Sequence, residues 1–151
     1  MDRRKALMSI ALAAAAASGA RAGENGSADE AVAMVKKTIA FMKANGDEKA
    51  FAEVSNPKGQ FVDRDLYVFI ALIGGNTMAH GANPRMIGKR MVELKDRDGK
   101  YFIREFENVV ETKGSGWVDY KWPHPVSKEI VQKSTYVEKF GKYLVGCGIY
   151  K

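Results

Sequence analysis

The stretch that most constrains the fold is the run Leu66 to Ile73, rich in Tyr, Val, Phe and Ile, followed at once by Gly74-Gly75-Asn76 and then by Thr77 to His80. Such a run suits a largely buried strand, and the turn residues behind it send the chain back on itself, so the pair is antiparallel. Gly81-Ala82-Asn83-Pro84 ends the return strand. Three further strand-like segments close the chain, Trp117 to Trp122, Glu129 to Glu138 and Tyr143 to Tyr150, each bounded by Gly, Pro or a charged turn. Five antiparallel strands need an apolar cover, and the remaining segments supply it.

Ala28 to Asn45 reads as a long helix, with Val32, Val35, Ile39 and Met42 at three- and four-residue spacing. Ser27 or Asp29 can cap its start, and Asn45-Gly46 provides a left-handed stop. Asp47 begins a short helical turn through Ala50, Phe51 and Val54, and Asn56-Pro57-Lys58-Gly59 is turn chemistry. Met86 to Leu94 alternates apolar clusters with Lys89, Arg90 and Glu93 and is expected to be helical. After the turn Asp96-Arg97-Asp98-Gly99, a helix from about Tyr101 to Thr112 presents Phe102, Ile103, Phe106, Val109 and Val110 as its buried stripe. The order of elements implies an α+β fold: one two-layer domain with a five-stranded antiparallel sheet.

The N-terminus is of another kind. Arg3, Arg4 and Lys5 precede an apolar stretch, Ala6 to Ala20, and a small-residue site Ala20-Arg21-Ala22, which together predict a signal peptide over residues 1–22 and export to the periplasm. The mature chain would begin at Gly23 with a polar leader over 23–28. Arg3-Arg4 also resembles the twin-arginine signal of folded cargo, but adjacent arginines are common in such segments. Removing residues 1–22 takes away four basic residues and one acidic residue, so the net charge of +6 becomes +3. The remaining lysines are scattered, which argues against a nucleic-acid partner. Cys147 is the one cysteine, so no internal disulfide forms and stability must come from the core.

The inventory for catalysis is thin. His80 and His124, the two histidines, have no partner at metal-binding spacing, and Cys147 in Val-Gly-Cys-Gly-Ile-Tyr reads as a small buried thiol. Asp96-Arg97-Asp98-Gly99 with Glu107 fails as a calcium loop, because Lys100 and Tyr101 fall where a ligand and a glycine belong. No metal, cofactor or catalytic residue is therefore expected. What stands out is a group of polar-tipped aromatics with a lysine and a histidine: Tyr67, His80, Trp117, Tyr120, Trp122, Lys133 and Tyr136. Such a set suits a small anion, since aromatic walls exclude water while the polar tips give charge-assisted hydrogen bonds. The same residues also fit an ordinary core with a solvated lysine. Tyr136 lies three positions from Lys133 and needs a bulge or twist to share its side.

Seven segments in register, among them FMKANG, FAEVSNPKGQFVDRDLYVFI, AHGANPRMIGKRM, LKDRDGKYFIREF, GWVDYKW, KSTYV and VGCGIY, carry a resemblance over residues 29–151. The chain resembles a single-Cache domain of the second type, the extracellular sensor module of bacterial chemoreceptors and histidine kinases. The resemblance implies a PAS-like fold with the long N-terminal helix packed on the sheet. It also implies a small organic acid ligand, such as acetate, propionate, pyruvate or lactate. Matching positions make Tyr67, His80, Trp122, Lys133 and Tyr136 the expected ligand contacts, with Tyr120, Trp117, Met86 and Phe61 as walls. In that scheme Lys133 pairs with the carboxylate, Tyr67 and Tyr136 donate hydroxyl hydrogen bonds, and His80 donates or orients. The family usually has a proline after the histidine, where this chain has Gly81, so a looser loop is expected there. Receptors of this kind continue into a transmembrane helix and an output domain, whereas this sequence ends at Lys151, so a membrane sensor or transporter is the expected reader of the bound state. A monomer or a weak homodimer through the N-terminal helices is compatible with the pattern. The rival reading is a protein-interaction or structural module whose pocket is filled by its own side chains.

Overall fold

The computed structural model describes residues 25–151. The expected signal peptide and the first residues of the polar leader lie outside the described residues.

Helix α1 (Ala28–Asn45) starts on a capping box: Ser27 Oγ accepts from the Glu30 amide at 3.2 Å, and Glu30 Oε1 accepts from the Ser27 amide at 2.9 Å. It ends at Gly46, whose φ of +88° is open to glycine at little cost. Its buried face, with Ala31, Val35, Ile39 and Met42, packs with α2 (Asp47–Val54) on one side of the sheet. The apolar stripe of α1 is therefore spent within its own domain.

The sheet contains β1 (Val62–Asp63), β2 (Leu66–Leu72), β3 (Thr77–His80), β4 (Ser115–Pro123), β5 (Ile130–Phe140) and β6 (Tyr143–Tyr150). Five strands run in the order β3-β2-β6-β5-β4, all pairs antiparallel, and the two-residue β1 joins β2 beside β3. The sheet so corresponds to the expected five strands with one short addition. Strand β6 lies between the first long strand and the β4–β5 hairpin, so the sheet is continuous only once β6 is in place.

Two expectations are corrected. Residues 86–94 do not form a helix: a 3-10 turn, Pro84–Met86, is followed by irregular chain. Here the backbone bonds go sideways to the hairpin, with the Thr77 amide donating to Lys89 O at 2.9 Å and the Gly88 amide to Thr77 O at 2.8 Å. Those bonds replace the i to i−4 ladder a helix would need. The domain also has three layers rather than two. Helix α3 (Phe102–Lys113) covers the second face of the sheet, burying Phe102, Phe106 and Val110 against Phe69, Val118, Tyr120 and Val137.

That second face is flattened at its centre by β6. Gly146 lies across from Phe69, and Gly148 across from Thr135. A Cβ on Gly146 would meet the Phe69 ring, and one on Gly148 would stand 2.7 Å from Lys133 Cε. The two glycines let an aromatic ring and a lysine stem lie flat over the middle strand. A Gly→Ala change inside a strand ordinarily stabilises by about 0.5 kcal/mol. Gly146→Ala is expected to do the opposite, lowering unfolding free energy in urea by about 1–3 kcal/mol as Phe69 is displaced.

Candidate functional site

Strand register decides which side chains share the second face. Tyr120 pairs with Lys133, Lys133 with Tyr150, and Phe69 with His80, and cross-strand partners project to the same side. With Tyr67 two residues before Phe69 and Trp122 two after Tyr120, these residues meet under α3 and the loop after β3. They enclose a cavity of about 30 Å³. Its polar end holds Lys133, Tyr67, His80 and Trp122, and its other walls are mainly Phe69, Phe102, Phe106 and Tyr120, with Met86 and Met91 from the loop. Phe102 stacks on Tyr120 with 4.4 Å between centroids and closes one side.

Lys133 is 1% exposed and has no carboxylate within ion-pair distance among the described residues. Its Nζ donates to Tyr67 Oη at 2.7 Å and lies 4.3 Å from the Tyr67 ring centroid and 5.0 Å from that of Tyr150. Burial pulls the ammonium down from its ordinary value to about 7, against the attraction of nearby groups that include Asp65. The Tyr67 proton is committed elsewhere. Tyr150 Oη donates to the Pro123 carbonyl at 3.1 Å, so the 3.3 Å contact between the two phenols must run from Tyr67 to Tyr150. A one-way chain thus leads from Lys133 through Tyr67 and Tyr150 to Pro123, and two ammonium protons are left for the cavity.

His80 supplies a second donor. Its Nδ1 accepts from the amides of Ala82 and Asn83 at 3.2 and 2.9 Å, while burial, with the Lys133 charge second, pushes its pKa to about 3. The ring is neutral with its proton on Nε2, and no acceptor among the described residues meets that N–H. The same two amide bonds organise the loop that follows. Gly81 donates to Val68 O at 3.0 Å and is packed against Val62 and Tyr67, so glycine here pins the loop, where a looser one was expected. A proline at this position could not make that bond.

Outside the polar end lies a wider cavity of about 310 Å³, which shares Tyr67, His80 and Trp122 and is rimmed by Asn83, Arg85, His124 and Lys128. It forms a vestibule to the polar end, with Arg85 and Lys128 as the cations of its rim and the buried Asp65 carboxylate 3.7 Å from His124.

Of the residues singled out in the sequence, the structure brings together Tyr67, His80, Trp122, Lys133, Tyr120 and Met86. It does not bring Tyr136, Trp117 or Phe61 to them. Strand β5 runs without a bulge, so Tyr136 has the opposite parity to Lys133 and faces α1, where its hydroxyl donates to Glu138 at 2.6 Å. Trp117 pairs with Tyr136 on that same side and is 39% exposed. Phe61 is buried against Phe41 in the α1 core. The residues that sequence reasoning passed over are Phe69, Phe102, Phe106, Met91 and Tyr150. Phe102 and Phe106 were visible as an i, i+4 pair, but nothing local distinguished a cavity wall from core. Among the described residues no group of three or more His, Cys, Asp or Glu could hold a metal ion, and no helix is long and apolar enough to cross a membrane.

A sheet carrying a long N-terminal helix on one face and an amphipathic cavity on the other is the architecture of a sensor-type ligand-binding domain. The profile of the Cache domain family matches residues 29–151, and the chain belongs to that family. It is 30% identical over 90 residues to the methyl-accepting chemotaxis protein McpP of Pseudomonas putida, covering 58% of this chain and 16% of that protein. It is likewise 30% identical over 89 residues to the sensor histidine kinase MctS of Rhizobium johnstonii, covering 58% and 19%. The matched stretch is thus under a fifth of either relative. Among solved structures, a periplasmic sensor domain of a chemotaxis protein superposes with a TM-score of 0.64 at 25% identity, covering 78% of this chain and 85% of that one. A Cache chemosensory domain studied for its carboxylic acid recognition gives 0.64 at 26% identity, covering 78% and 84%.

The lysine has a consequence for stability. An unfolded lysine holds its proton to about pH 10.4, whereas Lys133 in the fold releases it near 7. Between those values the unfolded chain binds more protons, so this group makes the ligand-free protein more stable as pH rises from 7 to 10. Chemical denaturation across that range is expected to show the rise, and Lys133→Met is expected to abolish it while stabilising the protein at pH 7.

Proposed function

We propose that the protein is a periplasmic, non-enzymatic binding module for a short-chain monocarboxylate of two to four carbons, such as acetate, propionate, pyruvate or lactate. One observation supports the reading: a buried ammonium that spends one proton on Tyr67 and keeps two, and a neutral imidazole N–H that meets no acceptor among the described residues, both line an apolar-walled cavity. Buried donors with protons to spare favour an anionic acceptor between them. Lys133 pairs with the carboxylate, His80 Nε2 donates a second bond, and Trp122 and Tyr120 wall the head group. Tyr67 acts through the lysine, holding and orienting it, since its own proton is directed at Tyr150.

The carboxylic acid recognition studied in the similar Cache chemosensory domain supports the ligand class. The similarity to a chemotaxis receptor and a sensor kinase supports a role in which a membrane sensor or transporter reads occupancy. Binding would report by preferring one arrangement of the Lys133-Tyr67-Tyr150-Pro123 chain, because a carboxylate on Lys133 competes for the ammonium that anchors it.

A thermal-shift screen of the purified protein against small carboxylates, amines and amino acids tests this. A selective rise with one acid class is expected, on the order of 10 °C at a ligand concentration 100 times Kd. The rise should vanish in Lys133→Met, which still folds. Affinity should fall above pH 7, approaching tenfold per pH unit, as Lys133 loses its charge, the reverse of the trend in ligand-free stability. A flat screen on the folded protein would overturn the binding reading in favour of an interaction module.

A further inference from the structure

The cavity is amphipathic along its length, and its apolar end does not stop at solvent. Thr77, Phe69, Met91, Ile103 and Phe106 line both it and a second cavity of about 20 Å³ on the same face of the sheet. The second space lies against Ala71, Leu72 and Leu144, and Lys133 does not line it. Its one charged lining residue is Glu107, whose carboxylate accepts the Gly74 amide at 2.8 Å. Polar donors thus cluster at the vestibule end, whereas hydrocarbon and a single carboxylate lie at the other.

We propose that Met91, with Ile103, partitions this second cavity from the head-group cavity and so sets the chain length the protein accepts: closed, the partition restricts the ligand to short acids, and opened by truncation it admits the hydrocarbon tail of a longer unbranched monocarboxylate. The inference rests on the carboxylate reading of the Lys133 site. The inner cavity of about 30 Å³ has room for two or three water-sized groups, at about 10–15 Å³ each, so the four or five heavy atoms of acetate or propionate more than fill it, with the carboxylate extending toward the vestibule. A fourth or fifth carbon must pass Met91 and Ile103. Met91 is half-buried, outside any helix or strand, and carries an unbranched side chain of three rotatable bonds. It is the wall residue whose truncation disturbs the fold least. Phe69 and Phe106 are buried in a stacked pair 5.7 Å apart and are structural. Glu107 at the far end repels a second carboxylate, so the second cavity selects a methyl-ended tail over a dicarboxylate.

The test is calorimetric titration of acetate, propionate, butyrate and pentanoate into the wild-type protein, Met91→Ala and the double variant Met91→Ala/Ala71→Leu. Wild type is expected to bind butyrate more weakly than propionate and to lose affinity for pentanoate. Met91→Ala is expected to favour pentanoate over propionate by about tenfold, since each methylene newly buried is worth roughly fourfold. Ala71→Leu lines only the tail cavity, so adding it should remove the pentanoate gain and leave propionate binding intact. Ile103→Ala provides an independent opening and should shift the ranking the same way. If acids bind but the ranking is the same in wild type, Met91→Ala and Ile103→Ala, the partition is overturned and the Lys133 site stands. If no acid binds wild type or either opened variant, the carboxylate reading fails and this inference with it.

Discussion

A buried ammonium without a carboxylate partner is the constraint around which this domain is arranged. Removing such a charge from water costs several kcal/mol unless other groups replace its hydration. Here the replacements are one phenol oxygen and the faces of Tyr67 and Tyr150, with a further tyrosine face, that of Tyr120, 5.9 Å away. They stabilise the charge without neutralising it. An isolated salt bridge would have been satisfied and closed to a ligand, whereas a half-solvated lysine would have had little to gain from one. Burial lowers the pKa of Lys133, and the geometry separately leaves two of its ammonium protons unspent.

The placement of that lysine depends on strand order. Because β6 lies between β2 and β5, Lys133 reaches over Gly148 to a tyrosine two strands away. A side chain on the central strand would block that path, so the flat track made by Gly146 and Gly148 is as much part of the site as the polar groups. Helix α1 is excluded from the site by the same geometry. It covers the opposite face, and its contribution is the core that holds β2 and β6 in register.

The vestibule adds a long-range element. Arg85 and Lys128 rim an opening whose base is His80 and Tyr67, so positive charge stands outside the cavity that Lys133 lines. The loop carrying Arg85 is turned by His80 itself, through the two amides its Nδ1 accepts, and those bonds also fix the tautomer that faces the cavity. One ring therefore shapes the entrance and supplies a donor inside it.

Much of the fold was legible locally. The cap candidates Ser27 and Asp29, the apolar spacing of residues 28–45, the glycine-rich hairpin and the stripe from Phe102 to Val110 each state an element in adjacent residues, because helix and strand periods are short-range properties. Residues 86–94 misled because their bonds run to Thr77, a partner no local pattern records. At the site, sequence alone selected the chemistry: a lysine, a histidine and polar-tipped aromatics, with Tyr67, His80, Tyr120, Trp122 and Lys133 among them. Only the tertiary structure separated these from Tyr136, Trp117 and Phe61 and added Phe69, Phe102, Phe106 and Met91. Which face a side chain occupies depends on register between strands distant in the sequence, and a shift of one residue exchanges the faces.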